Sequence, residues 1–297
     1  MHWSNKYKVQ LSDFLEFLFA LIGFTASLVE LTVYFTREGY CLSWGMPMFL
    51  MAIIAYVAYK ILKIKKIASI AADSLTTAIQ TISEDLKNGI YDLEMMSSKP
   101  NNNQLLLLQH AERTGQNICM TLAMELKRLI GEKVSISILV FKPKLKYQTG
   151  DELKNAYLTR FSSDNNFDAQ RQKSKKHKLV ENTSFLEIVT KGQPAFKAPD
   201  LIKYNNTLKD LGSGPYLSTI GNWQEYYLSE IVVPIRMELK HKEATESAYD
   251  YRGFLCADAK SANAFRNDEI EGYEKLMRTI ADYLYIFFDK TKIDEIA

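Results

Sequence analysis

The residues of this sequence that are best suited to recognise a small ligand lie between positions 204 and 236. They combine aromatic, amide, hydroxyl and guanidinium groups, and they are Tyr204, Asn205, Asn206, Ser213, Tyr216, Trp223, Tyr227 and Arg236. Aromatic planes stack on a nucleobase, while amide and hydroxyl groups bond to its edges. Arginine pairs bidentately with phosphate or carboxylate. The set predicts a small-molecule site that favours a nucleotide-like second messenger, with a cyclic nucleotide or an oligonucleotide as candidates.

Glycines and basic residues near this set would assist an anionic ligand. The backbone of "GSGP", residues 212–215, could approach a phosphate closely because glycine accepts unusual dihedral angles. Positive potential would come from Lys203, Lys209, Arg171, Lys175, Lys176 and Lys178. Other interpretations stay open. The aromatic residues could form a small core beneath a long loop, Arg236 could pair with a surface carboxylate, and the basic run at 171–178 could be a solvated loop or contact an anionic membrane surface.

Catalysis is not expected from this sequence. The four histidines, His2, His110, His177 and His241, share no spacing, and the common metalloprotease, P-loop and nucleophile-elbow motifs do not occur. The three cysteines lie far apart without a CxxC pair, which suggests neither a disulfide framework nor a zinc site. We therefore predict a binding protein without a metal or cofactor. The formal net charge of +2 gives no reason to expect duplex nucleic acid as a partner.

Two apolar runs near the N-terminus predict a membrane hairpin over residues 14–62, after a cytoplasmic tail at 1–13. The runs are Phe14–Phe35 and Leu42–Tyr59, and each is close to the roughly 20 residues that a helix needs to cross a bilayer. The flanking lysines are Lys6, Lys8, Lys60, Lys63, Lys65 and Lys66. By the positive-inside rule both termini are expected in the cytoplasm, with the hairpin in the inner (plasma) membrane. The alternative is a buried hairpin of a soluble domain.

The first of these runs carries a small and polar seam. Glu16, Gly23, Ser27 and Glu30 lie on one helical face, and Gly23 with Ser27 forms a small-xxx-small pair that lets another helix approach closely. A carboxylate in mid-span costs about 2.5–3.5 kcal/mol on insertion scales. The seam is therefore expected to face another helix or a pore. Whether Glu30 acts in ion passage or only in packing stays open.

Residues 63–96 predict an amphipathic stalk helix. Its heptad positions are Ala72, Ile79, Leu86 and Leu93 at a, and Ala68, Leu75 and Ile82 at d, with Gly89 at the next d position. Such a seam is typical of a parallel coiled coil, which would make the chain at least a homodimer. The alternative is a helix packed on its own cytoplasmic domain. The helix is expected to end at "SSKPNNN", residues 97–103.

The remainder, residues 104–290, predicts an α+β domain with an antiparallel sheet and helices on one face. The strands are expected at "VSISILVFK", "AYLTRFS", "SEIVVPIRMEL" and "YRGFLCADA", and helices at residues 104–130, "SFLEIVTKG" and the C-terminal "NDEIEGYEKLMRTIADYLYIFFDK". Residues Pro194–Tyr227 are expected to be irregular. This segment carries most of the candidate ligand-binding residues.

Three stretches of this domain resemble the GAF family, whose members are cytoplasmic small-ligand sensors. "FLEIVTKGQPAFKAPD" resembles its helix, glycine turn and short strand, "LSEIVVPIRMEL" its strand with a "VPI" centre, and "RGFLCADAKSANAFRNDEIEGYEKLMRTIADYL" its closing strand, loop and helix. The resemblance covers residues 105–290. It implies a ligand pocket between the sheet and the irregular segment.

Two functional subtypes of that family fit less well. Cyclic-nucleotide-binding members carry "NK…FxxxDE", whereas residues 263–269 read "NAFRNDE", without the lysine and with one residue fewer before the acidic pair. Phe265 is expected in the core. Cys256, in a strand, is also expected in the core rather than carrying a chromophore.

The organisation of the chain leaves two functions open. In one, ligand binding acts through the stalk on the hairpin, which disturbs the membrane. This architecture resembles that of bacterial effectors of antiviral signalling, which join a nucleotide-sensing domain to a short membrane hairpin. In the other, the hairpin is a passive tether and the domain signals to a separate partner protein.

Overall fold

A computed structural model describes residue 56 and the ranges 75–98, 104–145, 150–164, 176–239, 249–266 and 269–293. The helices are α1 (75–97), α2 (Gln104–Ile130), α3 (Gly150–Asn155), α4 (Thr183–Lys191), α5 (Leu201–Asp210) and α6 (Ile270–Thr291). The strands are β1 (Val134–Leu145), β2 (Tyr157–Ser163), β3 (Lys176–Lys178), β4 (Phe196–Ala198), β5 (Ser229–Glu238) and β6 (Tyr249–Ala259).

The six strands form one antiparallel sheet in the order β3-β2-β1-β6-β5-β4. The four longer strands coincide with the four predicted ones, and the α+β class is confirmed. Alternating apolar residues specify the central strand β1, in which Ile136, Ile138 and Val140 are fully buried. Strand β3 lies inside the basic run and was not predicted, because three residues are too few to display a period.

Helices cover both faces of the sheet, so the prediction of helices on one face was wrong. On the first face, the rings of Phe161 on β2 and Phe288 on α6 meet edge to face with centroids 5.1 Å apart. On the second face, the ring of Phe185 on α4 stacks at 4.8 Å on that of Phe254 on β6. Because both faces are covered, nearly every residue of β6 is buried.

The segment predicted to be irregular, Pro194–Tyr227, contains β4, α5 and a short 3₁₀ turn at Trp223–Glu225, which corrects the prediction. Helix α5 begins after Asp200, whose side chain accepts a hydrogen bond from the backbone N–H of Lys203 at 3.0 Å. This is an N-cap, which satisfies a donor that the first turn of a helix leaves open. Only residues 211–222 remain without a helix or strand between α5 and the 3₁₀ turn.

Helix α1, the described part of the predicted stalk, packs on α2 of the same chain. The seam residues Ile82, Leu86 and Leu93 are all buried. Gly89 lies where an added Cβ would be 2.8 Å from the Thr114 methyl group on α2. A contact between Asp92 Oδ2 and His110 Nε2, at 3.4 Å, joins the same two helices. The chain's own domain therefore covers this part of the heptad seam.

We expect Gly89→Ala to lower the free energy of unfolding by about 1–2 kcal/mol, because the new methyl group crowds Thr114. Helix propensity alone would instead raise it by roughly 1 kcal/mol, so the sign separates the two effects. In a Thr114→Ala background the same change should become neutral or stabilising. Urea unfolding of the four proteins measures this coupling. A stabilising Gly89→Ala in both backgrounds would contradict the packing of α1 on α2.

The predicted membrane hairpin falls, apart from Tyr56, outside the described residues. The same holds for its seam residues Glu16, Gly23, Ser27 and Glu30. Among the helices that the structure does describe, none has the length and apolar character needed to cross a bilayer. The hairpin, its orientation and the seam therefore stay predictions.

Candidate functional site

A cavity of about 30 Å³ lies between the sheet and residues 182–230. Five strands and the segments above them contribute to its wall, through Ser137, Leu139, Arg160, His177, Asn182, Phe185, Tyr216, Ser218, Ile220, Tyr227, Glu230, Cys256 and Asp258. This volume holds about one water molecule. Nine of the thirteen wall residues carry a polar or charged group, which distinguishes the cavity from a packing void in an apolar core.

Four ionisable side chains reach the cavity from four different strands. Arg160 comes from β2, His177 from β3, Glu230 from β5 and Asp258 from β6. His177, Glu230 and Asp258 are buried, and the Nε of Arg160 is buried as well. Transferring such groups out of water is costly unless they are paired or hydrogen-bonded. Their convergence on one small cavity is thus the most unusual chemical feature of the described chain.

Residues 211–222, here called the cover segment, close the cavity on the side opposite the sheet. Asn182, between β3 and α4, holds this segment: its Oδ1 accepts from the backbone N–H of Thr219 at 3.2 Å. Its amide nitrogen donates to the carbonyl of Lys178 at 2.7 Å. The Nδ1 of His177 lies 2.7 Å from the Thr219 hydroxyl. A few polar side chains at the rim therefore hold the cover in place.

The backbone of the cover segment adds two bonds and two glycine turns. Thr183 donates its N–H to the carbonyl of Leu217 at 3.1 Å and accepts the N–H of Leu217 on its hydroxyl at 2.8 Å. Gly212 and Gly214 have φ values of 71° and 83°, which favour glycine. These bonds and turns fix the path of the cover segment across the cavity.

Of the predicted ligand-binding residues, Tyr216 and Tyr227 line the cavity. The Tyr216 hydroxyl donates to Glu230 Oε2 at 2.9 Å, and that of Tyr227 donates to Ser218 Oγ at 3.0 Å. Burial, followed by the nearby charge of Glu230, raises the pKa of Tyr216 well above its usual value. Tyr216 therefore stays neutral and remains a donor to Glu230 throughout the physiological pH range.

Three other predicted residues, Trp223, Asn205 and Tyr204, lie outside the cavity and belong to the layer that supports Tyr216 and Tyr227. The ring of Trp223 meets that of Tyr216 at 5.1 Å and Tyr227 at 6.1 Å. Asn205 accepts the backbone N–H of Tyr216 at 2.8 Å. Tyr204 donates its hydroxyl to Glu187 at 2.9 Å, and burial followed by this bond raises the pKa of Tyr204. These rings belong to the core cluster beneath the cover segment.

The last three predicted residues lie away from the cavity. Asn206 and Ser213 are exposed. Arg236 lies over the ring of Tyr249, with its guanidinium carbon 3.7 Å from the centroid, and donates to the carbonyl of Gly192 at 3.2 Å. Arg236 therefore fastens β5 to the end of α4. The structure brings together the aromatic part of the predicted set, and not its arginine.

Two further predictions concern Phe265 and Cys256, which were both expected in the core. Phe265 is fully buried, as predicted, while Asp268 of the "NAFRNDE" stretch lies outside the described residues. Cys256 is buried, as predicted, and its side chain forms part of the cavity wall. Within the described residues, no group of three or more His, Cys, Asp or Glu side chains could hold a metal ion.

None of the four ionisable residues of the cavity is among the predicted ligand-binding residues. His177 lies within the basic run at 171–178, for which a solvated loop was one open interpretation, yet it is the inward residue of β3, between the exposed Lys176 and Lys178. This alternation covers only three residues, which is too short to be recognised as a strand in the sequence. Glu230 and Asp258 stand within apolar strands, where a single carboxylate suggests a specific partner.

No protein-family model matches the sequence, and no match is found among curated proteins. Solved structures with similarity include the GAF domain of an Acinetobacter phosphoenolpyruvate-protein phosphotransferase, with 12% identity over 69% of this chain and 91% of that chain, and a TM-score of 0.36. The GAF domain of the corresponding Coxiella burnetii protein has 10% identity over 72% and 99%, with a TM-score of 0.38.

A third similar structure is an enzyme. It is a free methionine-R-sulfoxide reductase from Neisseria meningitidis in complex with its substrate, with 12% identity over 64% of this chain and 93% of that chain, and a TM-score of 0.33. Structures of GAF domains and of an enzyme are thus both similar to this chain. The expected absence of catalysis stays a prediction.

Proposed function

We propose that the domain from residue 104 onwards is a sensor that binds a small polar ligand in the cavity beneath the cover segment. The observation that carries this proposal is the convergence of Arg160, His177, Glu230 and Asp258 on one cavity. Ionisable groups that converge in a cleft with other polar groups are the usual mark of a candidate binding site. The surrounding hydroxyl and amide groups of Ser137, Asn182 and Ser218 would orient the ligand.

Binding would have to move the cover segment. The cavity of about 30 Å³ has room for a water molecule and for nothing larger, so a ligand enters only when residues 211–222 lift. The cover then occupies different positions in the empty and the bound protein. This difference is what a sensor can report.

A nucleotide-like second messenger is the finer ligand assignment that the sequence favours. Tyr216 and Tyr227 at the cavity wall support it, since both carry aromatic planes. Stacking of a base on Tyr216 would require its ring to leave that of Trp223, which it meets at 5.1 Å. Cyclic mononucleotides and cyclic dinucleotides are therefore one arm of the binding test.

We propose that the signal leaves the domain through α2 and α1. Strand β2 carries Arg160 to the cavity, and its next residues contact α2: the Ser162 hydroxyl donates to the carbonyl of Glu112 at 2.9 Å. Helix α2 in turn holds α1 at Gly89. The predicted hairpin precedes α1 in the chain, so a membrane-disrupting effector in antiviral defence is the output that we favour. A passive tether signalling to a partner protein is the alternative.

Two measurements test the sensor proposal on the purified full-length protein. Mass spectrometry identifies the small molecules that denaturation releases, and calorimetry measures the binding of those molecules and of the nucleotide panel. Ser137→Val fills the cavity from β1 and should reduce binding at least about tenfold. Ser135→Val, on the same strand and outside the cavity wall, is the matched control. Equal binding by both variants would exclude the cavity as the site.

The output is tested in cells that produce the full-length chain. A membrane-potential dye and growth are followed with the wild type and with Ser137→Val. An effector should depolarise the membrane only when its cavity can be filled. Intact membranes with a ligand-loaded wild type would favour the passive tether.

A further inference from the structure

One buried side chain holds the cover segment by apolar packing. Among residues 211–222 only Tyr216 is buried, with 4% of its surface exposed, whereas Leu211 is 73% and Leu217 48% exposed. Apolar burial is the dominant favourable term in folding, so a segment with little of it depends on its polar contacts. The polar contacts of residues 217–220 therefore decide how firmly the cavity stays covered.

Two neighbouring side chains at the start of α4 hold the backbone of the cover segment. The hydroxyl oxygen of Thr183 accepts from the N–H of Leu217 at 2.8 Å, and Asn182 Oδ1 accepts from the N–H of Thr219 at 3.2 Å. The backbone adds a bond from the N–H of Thr183 to the carbonyl of Leu217, at 3.1 Å. Residues 182, 183, 217 and 219 are here called the latch.

The latch is bonded directly to the wall of the cavity. The side-chain nitrogen of Asn182 donates to the carbonyl of Lys178, at the end of β3, at 2.7 Å. The hydroxyl of Thr219 lies 3.3 Å from Asn182 Oδ1 and 2.7 Å from the Nδ1 of His177. Because His177 lines the cavity, a molecule that displaces its ring also disturbs the contact with Thr219.

The glycines of the cover segment provide a place for it to turn. Gly212 closes α5, since its N–H donates to the carbonyl of Lys209 at 3.0 Å. Gly214 follows with a φ of 83°, and a Cβ added there would meet nothing within 4 Å. Glycine changes its backbone angles at little steric cost. Rotation at Gly214 can therefore move the latch away from α4 while the end of α5 stays in place.

We infer that Asn182 and Thr183 close the cavity as one cooperative latch, and that its release, by rotation at Gly214, sets the rate at which molecules reach the cavity. This inference rests on the proposed sensor function, since it names the regulation of the same cavity. A cooperative latch opens as a unit, so the loss of one contact loosens the other. Independent hydrogen bonds would each respond only to the loss of their own partner.

Amide hydrogen exchange of the purified full-length protein, resolved to single residues and measured without a ligand, tests the cooperativity. Thr183→Val removes the acceptor of Leu217 and should speed exchange of the Thr219 amide, whose own acceptor is unchanged, about tenfold. Asn182→Ala should have the reciprocal effect on the Leu217 amide. Amides in the middle of β6 should keep their wild-type rates, which shows that the sheet stays folded.

Matched variants control for the loss of a hydroxyl or an amide group. Thr190→Val lies on the same helix, where its exposed hydroxyl donates to the carbonyl of Leu186 at 2.7 Å, and Asn206→Ala is exposed on α5. Neither should change exchange at the latch. If Asn182→Ala fails to fold, Thr183→Val carries the test alone. Faster exchange at Leu217 with an unchanged rate at Thr219 would overturn the cooperative latch.

Gly214→Ala tests the place at which the cover segment turns. Alanine disfavours a φ of 83°, so it strains the closed cover and should speed exchange at both latch amides about tenfold. Gly221→Ala is the matched control, because Gly221 belongs to the same segment, has no positive φ and has space for a Cβ. Equal exchange at the latch in the two glycine variants would overturn the role of Gly214.

Labelling of Cys256 shows whether the latch controls access to the cavity. This thiol lies on the cavity wall, and peptide mass spectrometry follows its modification by methyl methanethiosulfonate. Thr183→Val should label about tenfold faster than Thr190→Val, because the cover is open more often. Equal labelling rates would overturn the control of access by the latch. Both readouts work without a ligand, so they can fail while Ser137→Val still weakens ligand binding, and retention of binding in Ser137→Val would remove the sensor proposal alone.

Discussion

Gly253→Ala is expected to lower the free energy of unfolding by about 4 kcal/mol or more, which is an exceptionally large effect for one methyl group. A Cβ at this position would overlap the carbonyl oxygen of Leu139 and lie 2.9 Å from its carbonyl carbon. It would also lie 3.0 Å from the Cα of Val140. All these atoms belong to the backbone of β1, so no side-chain rotation can relieve the clash.

The position of Gly253 in the sheet makes the clash severe. It pairs with Val140 on one side and with Ile235 on the other, in the middle of the sheet. The register of β6 shifts next to it, since Ile235 pairs with Gly253 and Arg236 with Tyr251. Any movement of β6 away from β1 would disturb this bulge and the strands on both sides.

Gly272→Ala is the matched control for this prediction. Gly272 is exposed in the first turn of α6, and an added Cβ would meet nothing within 4 Å. The Gly272→Ala substitution should raise the free energy of unfolding by about 0.5–1 kcal/mol, because glycine is a weaker helix former than alanine. Chemical unfolding followed by circular dichroism measures both variants. A Gly253→Ala protein as stable as the wild type would contradict the close approach of β6 to β1.

The long strands and the last helix could be predicted from the sequence because their patterns are local. The alternation in β1 and the apolar spacing of α6 each persist for two or more periods. Helix α5 was missed because only Leu201, Tyr204 and Leu208 follow helical spacing, while its other positions are polar. The N-cap residue Asp200 was the available signal.

The charged residues of the cavity could not be assigned to one face from the sequence. Side chains alternate along a strand only while the register is regular, and a bulge reverses the alternation. The register of β2 against β1 shifts between Ile138 and Leu139, and that of β6 against β5 shifts after Ile235. Neither shift has a local sequence pattern that counting residues would reveal. The convergence of four strands on one cavity is a property of the assembled sheet.

Arg252→Met is expected to lower the free energy of unfolding by about 1.5–3 kcal/mol, because it removes a buried cation that is hydrogen-bonded to a carboxylate of α6. The loss stays below that of an unpaired buried charge, since Asp250 keeps Lys144 at 3.0 Å and Asp289 keeps Lys292 at 2.7 Å. Arg252, next to the β6 bulge, is only 3% exposed. Its Nη2 lies 3.1 Å from Asp289 Oδ1 on α6, and its Nε lies 3.4 Å from Asp250 Oδ2. Tyr285 also donates its hydroxyl to Asp250 Oδ2, at 2.8 Å. Methionine keeps the apolar volume of the stem and leaves both carboxylates without this partner.

Two pKa values give this network a pH dependence. The hydrogen bond from Lys292, assisted by the charges of Lys292, Arg252 and Lys290, lowers the pKa of Asp289. The ionised Asp289 therefore stabilises the folded protein, and this contribution is lost as the pH falls through the lowered pKa. Burial, with the bond to Asp250, raises the pKa of Tyr285 to about 12. The neutral Tyr285 hydroxyl therefore adds to the stability of the folded protein below the usual tyrosine pKa of about 10, and this contribution is lost between about pH 10 and 12.

The tyrosinate absorbance of Arg252→Met separates loss of this network from general damage. The charge of Arg252 lowers the pKa of Tyr285, so its removal should move the titration of this residue to higher pH, and Tyr285→Phe identifies the signal. Arg278→Met, which removes an exposed arginine 3.7 Å from Glu274, is the matched control. It should change stability by no more than about 0.5 kcal/mol. Equal losses in the two arginine variants would show that the Arg252 network adds no more than a surface ion pair, and that packing alone fastens α6 to β6.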